Sequence, residues 1–89
     1  MGLGDVVNDV VTGSGTFQPA SGVEICITQI GQTSAYDAYY VTDGTNKSYI
    51  LNASQQTGVY VCRLYINNTN YLEFEVSSND ACYTGVQVG

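Results

Sequence analysis

The chain has 89 residues, room for one domain, and a domain this short buries only about 60–65% of the surface its unfolded form exposes. Disulfides, a metal or a neighbouring subunit usually supplement so small a core. Two basic residues (Lys47, Arg63) stand against eight acidic ones, for a formal net charge of −6. That balance excludes counterion-driven binding to DNA or RNA and sets the chain against an anionic bilayer, so neither nucleic acid nor membrane is expected as a partner.

His is absent, and Cys26, Cys62 and Cys82 lack the paired spacing of a zinc site. The carboxylates form no D-x-D-x-D-G calcium loop, so neither metal nor cofactor is expected. Three cysteines leave at least one unpaired. Oligomerisation, or docking onto something larger, remains as the supplement to the core. No apolar run approaches the ~20 residues of a membrane span. Met1 to Asp5 has neither a basic n-region nor an apolar h-region, so synthesis in a cytoplasm without a Sec-type leader is expected.

Leu3, Val6, Val7 and Val10 fall at i, i+3, i+4 and i+7, one face of a helix. Valine is a poor helix former, and Gly4 and Gly13 flank the run. Residues 1–12 are therefore read as an N-terminal arm or short helix, with an eighth strand over Val6 to Thr12 as the extended alternative. The β-domain takes residues 13–89.

From Thr12 onward, turn residues cut the chain into strands every eight to twelve positions, the pattern of a sandwich or small barrel. Gly15 to Gln18 is followed by the turn Pro19-Ala20-Ser21-Gly22. Val23 to Ile30 sets Val23, Ile25 and Ile27 on one face and Glu24, Cys26 and Thr28 on the other. Gly31 to Ser34 turns. Tyr36 to Thr42 is apolar on both faces, which fits a central strand or one that meets a partner. Asp43-Gly44 is a hairpin signal leading into Lys47 to Leu51. The stretch from Asn52 to Gly58 is a polar loop.

In Val59 to Ile66 the inward set is Tyr60, Cys62, Leu64 and Ile66. After the Asn67 to Asn70 turn, Tyr71 to Val76 points Leu72, Phe74 and Val76 inward and Glu73 and Glu75 outward. Ser77 to Asp80 turns. Ala81 to Val88 closes the chain, with Cys82, Val86 and Val88 read as its inward face. The fold class is all-β: a small antiparallel β-sandwich of seven to eight short strands, the jelly-roll count.

Without His, no Ser-His-Asp or Cys-His arrangement is possible. Glu73 and Glu75 alternate to solvent, where they keep an edge soluble rather than do acid–base work. Gly13-Ser14-Gly15 precedes a strand and not a helix, so it is no phosphate loop. No enzyme activity is expected. Three N-x-S/T sequons, at Asn46, Asn52 and Asn67, all fall in turns that favour Asn for its backbone conformation.

Gly58-Val59-Tyr60-Val61-Cys62 resembles the Tyr-x-Cys corner of immunoglobulin domains, with Cys26 as the partner that resemblance implies. The short spacing, the absence of Trp, and the opposite faces of Cys26 and Cys62 argue against that family. Cys62 and Cys82 both read as inward and could pair, though buried free thiols are preferred. The eight tyrosines are too many for the core alone. Tyr39, Tyr40, Tyr49, Tyr65 and Tyr71 imply exposed aromatic surface of the kind that suits subunit contacts.

Gly15-Thr16-Phe17-Gln18-Pro19-Ala20-Ser21-Gly22-Val23-Glu24-Ile25, Val41 to Asn46, and Tyr83-Thr84-Gly85-Val86-Gln87-Val88 together resemble small structural proteins of bacterial viruses. The resemblance implies a short sandwich or jelly roll that decorates capsids or forms spikes and fibre tips, often as a trimer, with no shared active site. The expected function is thus a virion structural protein made in the host cytoplasm, foremost a capsid decoration (cement) protein. Its expected partners are the major capsid protein or other virion proteins, and further copies of itself in a homo-oligomer, a trimer foremost. Leu3, Val6, Val7 and Val10, with Tyr36, Tyr39 and Tyr40, are the expected subunit or shell contacts. A receptor-binding spike or fibre tip, using the loops at Asn52 to Gly58 and Asn67 to Asn70, is the first alternative, and an immunoglobulin-like adhesion module the second.

Overall fold

A computed structural model describes residues 2–32, 38–51, 58–76 and 80–89. Its eight strands are β1 (Val6–Val11), β2 (Gly15–Phe17), β3 (Ile25–Gln32), β4 (Ala38–Thr42), β5 (Lys47–Leu51), β6 (Gly58–Ile66), β7 (Tyr71–Glu75) and β8 (Ala81–Gln87). They form two four-stranded antiparallel sheets. Sheet A runs β1-β8-β3-β6 and sheet B runs β2-β7-β4-β5. Within them β1 pairs β8, β2 pairs β7, β3 pairs β6 and β4 pairs β5. The four strands of the first half thus pair with those of the second in nested order.

The innermost connection of that nest is the β4–β5 turn, which Asp43 organises. Its carboxylate accepts the backbone N–H of Thr45 at 2.9 Å and of Asn46 at 2.7 Å. Those bonds favour the ionised form and hold the Asp43 carboxyl below its ordinary range. Asn67 repeats the device between β6 and β7, accepting from Thr69 and Asn70. Between β2 and β3, Val23 closes on Ala20 with Gly22 at φ 84°, the left-handed position that a type II turn reserves for glycine.

Both sheets contribute to a single core. Ile25, Ile27, Ile30 and Ile66 from sheet A meet Tyr39, Leu72 and Phe74 from sheet B. Tyr83 stacks on Phe17 with ring centroids 5.0 Å apart and lies 6.0 Å from Phe74. A bulge at Thr28 shifts the β3 register between Ile27 and Gln29 and so brings Ile30, like Ile27, to the core side. The same bulge presses the β3 backbone onto β8. A Cβ at Gly85 would sit 2.2 Å from the Cys26 carbonyl oxygen, so only glycine fits there.

Residues 6–11 are not a helix or a free arm. They are β1, antiparallel to β8 at the edge of sheet A. β-branched valines favour the pleat over the helix, and the pleat splits the expected stripe: Val7 enters the core while Val6 and Val10 face outward. A boundary between residues 12 and 13 would thus cut a strand from the fold. β8 also has the opposite face inward to the one expected. Ala81, Tyr83, Gly85 and Gln87 are buried, and Cys82 is exposed. Cys62 and Cys82 therefore lie on opposite sides of sheet A, and all three cysteines are free thiols.

Candidate interaction surface

The strand registers line up three rows of residues across the outside of sheet A. The first is Val6, Val86, Cys26 and Tyr65; the second is Asn8, Thr84, Gln29 and Val61; the third is Val10, Cys82, Gly31 and Val59. None of these is charged. Val6, Val10, Val59, Val61 and Tyr65 keep between 57% and 80% of their surface in solvent. These five large apolar side chains stand on the two edge strands of sheet A, Val6 and Val10 on β1 and Val59, Val61 and Tyr65 on β6, with Val86, Thr84 and Cys82 of β8 and Cys26, Gln29 and Gly31 of β3 between them. Two charges share this face: Arg63 points outward between Val61 and Tyr65 on β6, and Asp80, before β8, lines a groove along the third row.

The third row is grooved. Gly31 has no side chain, so Val10 and Val59 flank Gly31 and Cys82 in an open groove of about 270 Å³ that Asp80 also lines. Tyr39 supports that groove from the core side. Its hydroxyl, carried across the core by β4, lies 2.9 Å from the Gly31 carbonyl and 2.7 Å from the Cys82 carbonyl. Cys82 is the exposed thiol, whereas burial pushes the Cys62 thiol above its ordinary range.

The outside of sheet B differs in kind. Its registers place Thr16, Glu73, Tyr40 and Tyr49 in one row. The Tyr40 hydroxyl donates to Glu75, and the ring lies 4.6 Å from that of Tyr49. Lys47 Nζ sits 4.5 Å above the Tyr40 ring and 3.1 Å from Glu73 Oε2. The bond to Glu75, a contact with Tyr49 and burial together hold the Tyr40 phenol above the usual phenol range. This face satisfies its polar groups internally.

Of the expected contact residues, Leu3, Val6 and Val10 are exposed, and Val6 and Val10 lie on the outer face of sheet A. Val7, Tyr39 and Tyr40 are buried within the chain, because Val7 and Tyr39 point into the core and Tyr40 lies beneath Tyr49 and Lys47. None of the three is free to meet a shell. β4 is a central strand between β7 and β5, the first of the two readings its apolar faces allowed. Tyr36, and the loop from Asn52 as far as Thr57, lie outside the described residues. The sequence reading left Val59 and Val61 outside the inward set and counted Tyr65 toward exposed aromatic surface, but named none of them as a contact, and it read Cys82 as inward. The outward alternation of Val59, Val61, Arg63 and Tyr65 was the available signal. Compared with models of protein families and with curated protein sequences, the chain matches none.

Proposed function

We propose that this chain is a non-catalytic structural protein of a virus particle, a capsid decoration (cement) protein that docks by the outer face of sheet A. The observation that carries the reading is the set of five exposed large apolar side chains on the outer face of sheet A, where Arg63 and Asp80 are the charges, on a chain of net charge −6. Leaving five large apolar side chains in water is unfavourable by roughly 25 cal/mol per Å² of apolar surface, so a covering partner gains from them. The three rows carry no carboxylate, so Asp80 at the groove and Arg63 on β6 are the charges whose desolvation docking would have to offset.

The nested pairing of β1 with β8, β2 with β7, β3 with β6 and β4 with β5 supports reading the two sheets as a jelly roll. Viral capsid domains use that architecture, and lectins do too, so the fold alone does not choose between them. The exposed valines on β1 and β6 favour the capsid, whereas the middle row of Asn8, Thr84 and Gln29 is the part of this face that lectin-type recognition of hydroxyls would use.

Docking would repeat the same contact over many shell subunits, so modest single contacts would add as avidity. The test is to band particles on a density gradient from the virus–host culture that carries this coding sequence, and to probe fractions with antibody to the chain. Co-banding with particles, and rebinding of purified chain to particles stripped of it, are the expected results. Chain that stays at the top of the gradient and does not rebind would overturn the reading.

A further inference from the structure

We infer that β6 pairs with β6 of a second copy of this chain, antiparallel across a two-fold axis, joining two A sheets into one of eight strands. The inference rests on the docking reading for its purpose and on strand geometry for its form.

A sheet edge left open is a template for another strand, and proteins usually guard it with brevity, lysine, proline or charge. Sheet B is guarded at both edges: β2 has three residues and β5 begins with Lys47. β1 has six residues. β6 is the longest strand, with nine residues, no proline, no lysine and no carboxylate; Arg63 is its single charge, its ladder with β3 is irregular between Leu64 and Val61, and among the described residues no strand lies against its outer side.

The sequence of β6 then selects both occupant and register. Directly opposed residues in an antiparallel pair point to the same face, so the outward residues Val59, Val61, Arg63 and Tyr65 must oppose outward residues of the second copy. A pairing centred on Cys62 sets Gly58 against Ile66 and uses the whole strand. It places Val59 against Tyr65 and Val61 against the aliphatic stem of Arg63, so that the two guanidinium groups are not directly opposed. Centring on Arg63 instead would oppose two like charges, which is destabilising. The contact is isologous, as a two-fold requires. It also joins two copies at the margin of the outer faces of their A sheets, away from the carboxylates of Glu73 and Glu75 on sheet B. The two faces then run together as one surface twice as wide, the form in which this protein would meet a shell.

The test is the solution mass of the intact chain by light scattering over a dilution series. The expected mass is twice that of the 9.5 kDa chain. Val61→Lys, which opposes Lys to Arg63 of the second copy at two symmetric places, should weaken dimerisation about tenfold or more. Val61→Glu, which opposes a carboxylate to that arginine, should keep or tighten the dimer, and V61K/R63E should restore it. Val61 is 80% exposed, so circular dichroism should be unchanged in each variant. A monomer at the highest soluble concentration, a trimer, or a dimer indifferent to all three variants would overturn the inference. Particle binding is read separately: a monomer that binds particles overturns this inference alone, and a dimer that ignores particles overturns the docking reading alone.

Discussion

On the outside of sheet B, Lys47, Glu73, Glu75, Tyr40 and Tyr49 meet one another through an ion pair, a cation–π contact and a phenol–carboxylate hydrogen bond. On the outside of sheet A, Val6, Val10, Val59, Val61 and Tyr65 sit in uncharged rows around a groove. The two sheets have the same number of strands and share one core, so neither fold nor stability demands this difference. Sheet B shows how this chain finishes a surface that faces water: Lys47 pairs with Glu73, Glu75 accepts from the Tyr40 hydroxyl, and Tyr40 is capped by Tyr49 and Lys47. Sheet A carries no such finish, and that contrast is the ground for assigning it to a partner.

The sharpest way to break the comparison is to put charge on the sheet A groove. Val10→Glu with Val59→Glu should abolish docking to stripped particles, a loss of about 100-fold or more in a pull-down titration, since both carboxylates would have to be desolvated unpaired. Both positions are exposed, so unfolding free energy should move by no more than about 0.5 kcal/mol. Gly85→Ala should do the reverse. Its methyl group would meet the β3 backbone at the Cys26 carbonyl and cost about 1–3 kcal/mol in urea unfolding, while protein that remains folded docks normally.

Smaller effects belong to sheet B. Tyr40→Phe should lower stability by about 1–2 kcal/mol through loss of the bond to Glu75. It should also change the alkaline limb of the stability curve. The phenol is raised in the folded chain by that bond, by Tyr49 and by burial, so the unfolded chain releases its proton first. The stabilisation is complete below the ordinary phenol value of 10.0 and is lost as pH climbs beyond it. Chemical unfolding across that range should therefore show a shallower decline for Tyr40→Phe than for the parent. The smallest effect is expected for Tyr49→Ala, an exposed residue of sheet B, which should leave docking affinity within about twofold.

Much of this fold was legible one strand at a time. Tyr60, Cys62, Leu64 and Ile66 alternate cleanly with outward residues, as do Leu72, Phe74 and Val76, and both sets face inward as read. Asp43 and Asn67 announced their turns because each side chain caps backbone N–H groups two and three residues on. β8 was read on the wrong face because its inward residues include Gly85 and Gln87. Gly85 is there through the close approach of a bulge on β3, and Gln87 because its amide reaches the Gly89 carbonyl. Neither reason is visible within Ala81 to Val88. β1 was ambiguous because valines at helical spacing also fit a pleat, and its partner β8 lies some seventy residues away. The groove itself was illegible for the same reason: Val10, Cys82, Gly31 and Val59 become one row only when four distant strands take their registers.

The most direct test uses one reporter on each face. Cys82 is the exposed thiol of sheet A and Lys47 the sole lysine, on sheet B. Chain free in solution and chain bound to particles would be treated with N-ethylmaleimide and with an amine-acylating reagent, and the modified peptides quantified by mass spectrometry. The account predicts that Cys82 is alkylated in the free chain and protected on the particle, while Lys47 is acylated equally in both. Protection of Lys47 with Cys82 still open would place the contact on sheet B and contradict it.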